Sequence, residues 1–161
     1  MKQYNRQKTV EYAKKWAYLR NPNYYNFDNV GGDCTNFVSQ CIYAGSGVMN
    51  YNKKNGWYYL NGNNKSPSWT GVQYLYNFLI QNRGIGPTGV KIEQKNLQIG
   101  DIAQLSFDEK FFSHSLIIVK IDNPKNIDNI YIAAHTNDAY NRKLSSYGAK
   151  KIRYVHIEGE N

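Results

Sequence analysis

The chain has 161 residues, 41% of them hydrophobic and 15 of them tyrosine, with a formal charge of +8. That length supports one domain over residues 1-161 with a single sizeable core, and the apolar fraction excludes a disordered chain. A sequence pI near 9.4 points to a polyanionic setting, such as nucleic acid, an anionic membrane or the teichoic acids of a bacterial wall, and excludes none of these by itself.

In chain order, Met1 to Arg6 leads into a polar helix without an apolar leader, so an exported protein would carry its signal outside these residues. The pairs Lys14-Lys15, Lys53-Lys54 and Lys150-Lys151 are scattered, which reads as a solvated face. Thr9 to Leu19 carries Val10, Ala13, Trp16, Ala17 and Leu19 at helical spacing, and Asn21-Pro22 ends it. A Tyr- and Asn-rich loop then reaches Gly31-Gly32-Asp33-Cys34, with Asp33 as the expected N-cap of a second helix. Phe37, Val38, Cys41 and Ile42 form its buried face, and Ala44-Gly45-Ser46-Gly47 stops it. Asn50 to Ser68 lacks periodicity but holds Trp57, Tyr58 and Tyr59, so it is expected as an ordered excursion over a core or a cleft rim. A third helix is expected from Ser68, its cap, to Gln81, with Gly84-Ile85-Gly86-Pro87 as the breaker. Strand-like runs follow at Asp101–Leu105, Ser113–Ile121, Asn129–His135 and Lys151–Ile157. Helices followed by antiparallel strands give an α+β class, and no apolar run reaches membrane-spanning length.

The chemistry centres on Cys34. At the first position of a helix, unpaired N–H groups and the positive dipole end favour thiolate over thiol. Cys41 lies on the buried face and reads as packing. The two cysteines are about 10.5 Å apart along the helix axis, too far for a disulfide. A nucleophilic thiol needs an imidazole. A hairpin centred on Pro124-Lys125 sets His114 opposite His135, with Cβ atoms about 5 Å apart. A bulge or one-residue slip would change that partner, and Asn137, on the same face as His135 by alternation, is its rival. His156 is read as structural. A metal site built from Cys34, His114 and His135 has three donors but no CxxC or HExxH spacing, so no metal is expected. A nucleic-acid binder would suit the charge, yet no recognition motif appears.

Asn21-Pro22-Asn23-Tyr24-Tyr25, Gly31 to Cys41, Ser68-Trp69-Thr70, Gly100-Asp101-Ile102, Ser113-His114-Ser115 and Ala134-His135-Thr136 span nearly the whole chain. In these strings the chain resembles the papain-like cysteine hydrolases of bacterial cell walls, and within them the "putative amidase domain" family, related to NlpC/P60 and CHAP domains. The resemblance implies a papain-like fold with the nucleophile helix packed on a small antiparallel sheet. It implies Cys34 as nucleophile, His114 as general base and His135 as the residue orienting it, with Asn137 or Asp138 as alternatives. The resting pair would be thiolate and imidazolium. The Cys34 N–H would be one oxyanion donor, and Tyr24, Tyr25 or Asn26 are candidates for the second. Asp33, Trp57 and Trp69 are candidates for the cleft.

The implied activity is hydrolysis of amide bonds in peptidoglycan without a cofactor, as an N-acetylmuramoyl-L-alanine amidase or, alternatively, a stem-peptide endopeptidase. A noncatalytic wall-binding module could keep the same fold. Expected partners are peptidoglycan and anionic wall polymers rather than nucleic acid, and a monomer is expected. The expected location is extracellular or the cell wall, a phage-encoded lysin being one such case.

Overall fold

Asn5 opens the first helix by accepting a hydrogen bond from the Lys8 N–H at 3.0 Å, which satisfies one donor that the first turn leaves unpaired. Helix α1 therefore spans Arg6–Trp16, beginning and ending one turn before the apolar spacing predicts. The computed structural model describes residues 3–160. Helix α2 covers Cys34–Ser46 and ends at Gly47, whose φ of 75° is the left-handed conformation of a C-cap glycine. The two helices cross closely at Gly45, where a Cβ would collide with Thr9 Oγ1. The glycine is a packing requirement there.

A small hairpin of β1 (Tyr59–Asn61) and β2 (Asn64–Lys65) follows. The expected third helix is two: α3 (Pro67–Thr70) and α4 (Val72–Gln81), separated by Gly71 in an extended conformation. That break turns Trp69 fully into the core. The second half supplies β3 (Pro87–Ile92), β4 (Ile102–Ser106), β5 (His114–Ile121), β6 (Ile130–Ala134), β7 (Ala139–Lys143) and β8 (Lys151–Glu160). These form one antiparallel sheet in the order β3-β8-β4-β5-β6-β7.

Strand alternation divides the apolar residues between two faces. Ile102, Ile117, Ala133 and Val155 join Phe37, Val38, Ile42, Trp57, Trp69 and Leu75 in a core under the helices. Ala103, Leu105, Leu116, Ile118, Ile132 and Tyr154 form a second core on the opposite face, closed by Leu144 and, partly buried, Tyr147. Both belong to a 3-10 turn over Leu144–Tyr147. The class is α+β, as expected. No helix among the described residues is long and apolar enough to cross a membrane.

Candidate active site

Gly31 and Gly32, at φ of 83° and 93°, turn the chain into α2 in a conformation that L side chains rarely adopt. Cys34 follows as the first helical residue and is partly exposed, whereas Cys41 is fully buried, and burial pushes its thiol pKa well up. The Cys34 Sγ contacts Thr35 Oγ1 at 3.7 Å, and Thr35 Oγ1 in turn meets Ser115 Oγ at 2.9 Å. These hydroxyls fasten the start of α2 to the start of β5. Cys34 and His114 are the residues immediately before them.

Asp33 does not cap α2 with its side chain. Its Oδ1 instead accepts from the Phe27 N–H and from Asn36 Nδ2, both at 2.9 Å, while Oδ2 lies 2.5 Å from His135 Nδ1. The carboxylate is therefore engaged away from the helix axis, and it lines no cleft: it is 1% exposed.

The hairpin register differs from the expected one. Beyond a bulge between Ile118 and Lys120, Ile118 pairs with Ile132 and Ile117 with Ala133. Continued to the strand end, this sets Ser115 rather than His114 opposite His135. Pairing on the other side agrees, since His114 opposes Leu105, a residue of the second core. His114 and His135 thus face opposite sides of the sheet.

His135 is buried against the helices, its ring stacked on Phe37 at a centroid distance of 4.0 Å. Besides Asp33, it approaches the Trp16 carbonyl at 2.8 Å and Arg20 Nη1 at 3.1 Å, both through Nε2. Both ring nitrogens are engaged, so it does not orient His114 as expected. Arg20 also pairs with Asp28 at 3.0 Å and Asp138 at 2.9 Å. One guanidinium ties the segment after α1 to the loop before Cys34 and to the β6–β7 turn. Thr136 and Asn137, at φ of 65° and 58°, form the two-residue tip of that turn and are exposed. The tip carries Asn137 off the face of His135, which alternation in a continuing strand had predicted. His156 Nδ1 lies 3.0 Å from the buried Asp101 carboxylate, which Arg6 also contacts at 2.7 Å.

His114 is nearly buried, and its ring lies 5.7 Å from that of Tyr147. Burial, reinforced by the Arg142 guanidinium, pushes its pKa down to about 4. The ring is then neutral near pH 7 in the free protein. No hydrogen bond joins His114 to Cys34 among the described residues. Both residues act on Tyr147: His114 by ring contact, and Cys34 through its charge when ionised, which disfavours the phenolate. No group of three or more His, Cys, Asp or Glu among the described residues could hold a metal ion.

Residues 3–157 match the family model described as "Putative amidase domain". The chain belongs to this family. The amidase domain is also similar to two Bacillus subtilis (strain 168) proteins, both named as uncharacterized. It is 35% identical to YhbB over 124 residues, covering 74% of this chain and 38% of YhbB. It is 26% identical to YjcM over 149 residues, covering 88% of this chain and 33% of YjcM. The chain thus spans between a third and two fifths of these relatives. No solved structure matches it.

Within the amidase domain the aromatic candidates separate by burial. Trp57 and Trp69 are fully buried, their indole N–H groups donating to Ser39 Oγ at 3.1 Å and Asn36 Oδ1 at 3.0 Å. They are core residues and do not line a cleft, because each indole finds its acceptor on the inward side of α2. Tyr24 is half-buried, stacked on Trp69 at 6.0 Å, and burial pushes its phenol up to about 12. Tyr25 is exposed, as is Asn26, whose Oδ1 accepts from the Asp28 N–H. A groove of about 510 Å³ lies elsewhere, lined by Asn50, Asn52, Tyr74 and Asn82 among others. Its amides close their own turns: Asn52 Oδ1 accepts from the Lys54 and Asn55 N–H groups, and Asn82 Nδ2 donates to the carbonyls of Ile85 and Pro87. Arg20, Arg142 and Tyr147 are what the sequence reading missed. None stands in a periodic run or a recognisable motif.

Proposed function

We propose that this amidase domain is a cysteine-dependent hydrolase of amide bonds in bacterial peptidoglycan, cutting the bond between the muramoyl group and L-alanine. The observation that carries the reading is the partly exposed Cys34 at a helix start whose preceding carboxylate is turned away, fastened through Thr35 and Ser115 to the strand of His114. Peptidoglycan is favoured as the substrate by the resemblance of the motif strings and by the +8 charge, which suits an anionic wall.

In this reading His114, neutral at rest, takes the Cys34 proton as the substrate arrives. Catalytic hydrogen bonds that are long in the free enzyme commonly tighten only in the substrate complex. The sulfur attacks the amide carbon, a C–S bond forms, and negative charge moves to the carbonyl oxygen. The Cys34 N–H faces that oxygen at the positive end of the helix. Collapse breaks the C–N bond, and the imidazolium gives its proton to the leaving amine. Water, deprotonated by His114, then attacks the thioester, releasing the acid and returning the thiol. His135 holds Asp33 and the loop before Cys34, and acts on the site only through them.

The test is mass analysis of fragments released from purified peptidoglycan by the parent chain and by Cys34→Ala and Cys41→Ala. The parent and Cys41→Ala should release free muramoyl carboxyls and L-alanine amines, and Cys34→Ala should release nothing above background. Hydrolysis by Cys34→Ala at the parent rate would remove the nucleophile assignment. A cut within the stem peptide would replace the amidase by an endopeptidase.

A further inference from the structure

Tyr147 carries a buried hydroxyl with no hydrogen-bond partner among the described residues. A phenol buried in this way forfeits its bond to water without an acceptor of its own in exchange. Burial also pushes its pKa up, so the group is a protonated donor. Its neighbours on β7 and the 3-10 turn do not supply an acceptor. Arg142 meets the ring face, with its guanidinium carbon 3.7 Å from the centroid, and directs Nε to Ser146 Oγ at 2.7 Å. Gly148, at φ 59°, ends the turn in the left-handed region and fixes where the phenol lies.

The ring is 5.7 Å from His114 and within the field of the Cys34 thiol. It therefore packs beside the proposed base, in the region that the charge of an ionised Cys34 reaches. Tyr24, Tyr25 and Asn26 are less well placed for the second oxyanion donor. Tyr24 packs on Trp69 and Tyr59, the Tyr25 ring on Phe27, and Asn26 closes a turn. We infer that the Tyr147 hydroxyl is the second oxyanion donor, hydrogen-bonding the carbonyl oxygen as Cys34 adds to the carbon. Substrate would supply the acceptor that the free protein lacks, with the side chain of Arg142 shifting on the ring to admit it. The inference rests on the proposed function for the identity of the nucleophile.

The experiment compares the 161-residue chain with its Tyr147→Phe variant in three measurements. The first is iodoacetamide alkylation of Cys34, which needs the thiol and its base but no oxyanion donor. The second is capture of N-acetyl-alaninal, where the thiol adds across the aldehyde: a C–S bond forms and the thiol proton passes to the new oxygen. The third is hydrolysis of a soluble muropeptide. The expected result is unchanged alkylation and unchanged or raised thermal stability, with aldehyde affinity and kcat each lowered. Removal of one oxyanion donor typically lowers kcat by about 10²-fold. Aldehyde affinity equal to the parent's would overturn the inference, as would a parallel loss of alkylation and melting temperature, which marks a packing role. If the parent captures the aldehyde but cuts no muropeptide, the peptidoglycan reading falls, and the aldehyde difference alone still decides the role of Tyr147. If the parent captures no aldehyde, both fall.

Discussion

His135 Nδ1 lies 2.5 Å from Asp33 Oδ2, joining the end of β6 to the residue immediately before Cys34, with both side chains almost wholly withdrawn from water. A contact across 102 positions of sequence thereby sets the direction in which α2 begins. The carboxylate that local sequence offers as a helix cap is claimed by tertiary structure instead, and the first N–H groups of α2 are left without it. Arg20, 3.8 Å from the same carboxylate, completes the assembly from the segment that follows α1.

Removing one member of this pair should therefore act first on stability. Loss of His135 leaves Asp33 buried beside fewer partners, and breaking a buried pair by deleting one side costs about 3–5 kcal/mol. His135→Ala should lower the urea midpoint accordingly, and Asp33→Asn should do so as well. The double variant should be less destabilised than the sum of the two, since the second change removes the group that the first one stranded. Additive losses, measured by urea denaturation, would mean that the pair is not energetically coupled.

The physical reasons for what the sequence leaves hidden are visible in particular elements. Helix α2 was legible because two glycines precede it, Gly47 ends it and its apolar positions keep helical spacing. The strands β4, β5, β6 and β8 were legible from alternation, with ends off by a residue or a few. Strand β3 was hidden by the Gly-Pro breaker that leads into it, and β7 because it is a short, polar edge strand whose pattern follows exposure rather than a core. The bulge at Val119 shifts the register by one residue, and with period-2 alternation that single slip moves His114 to the other face. Cys34 and His114 could be nominated from motif and resemblance. The engagement of His135 by Asp33, and the approach of Tyr147 and Arg142, depend on contacts that no local pattern encodes.

His114 should make stability depend on acid. Its pKa is pushed from 6.5 to about 4 in the folded chain. Above pH 6.5 both folded and unfolded forms carry the neutral ring, and its contribution is unaffected by pH. Between 6.5 and about 4 the unfolded chain binds the proton and the folded chain does not, so stability falls as pH falls, by about 3 kcal/mol in total. His114→Gln removes this group from the titration. The gap between parent and variant melting temperatures should move in the variant's favour from pH 7 to pH 4, and a constant gap would show that His114 titrates as in the unfolded chain.

The tip of the β6–β7 turn holds a local conflict with a measurable sign. Thr136 stands at φ 65°, a region in which a β-branched side chain crowds its own backbone, whereas Asn137 beside it at φ 58° is a residue type that tolerates it. The type I′ geometry demands positive φ at both central positions, and glycine meets that demand without a steric penalty. Thr136→Gly should relieve about 1–2 kcal/mol of left-handed strain, less the extra freedom that glycine gives the unfolded chain. The expected outcome is a melting temperature equal to or above the parent's, while Asn137→Val, which puts a second β-branched residue at the tip, should lower it. Thr136 also faces the loop before Cys34, since a Cβ on Gly32 would lie 3.5 Å from Thr136 Oγ1. Strain held at such a position commonly serves a site rather than the fold. Thr136→Gly should accordingly keep or gain stability and lose turnover of a soluble muropeptide. A variant that loses stability instead would show that the threonine side chain contributes more at this tip than its backbone strain removes.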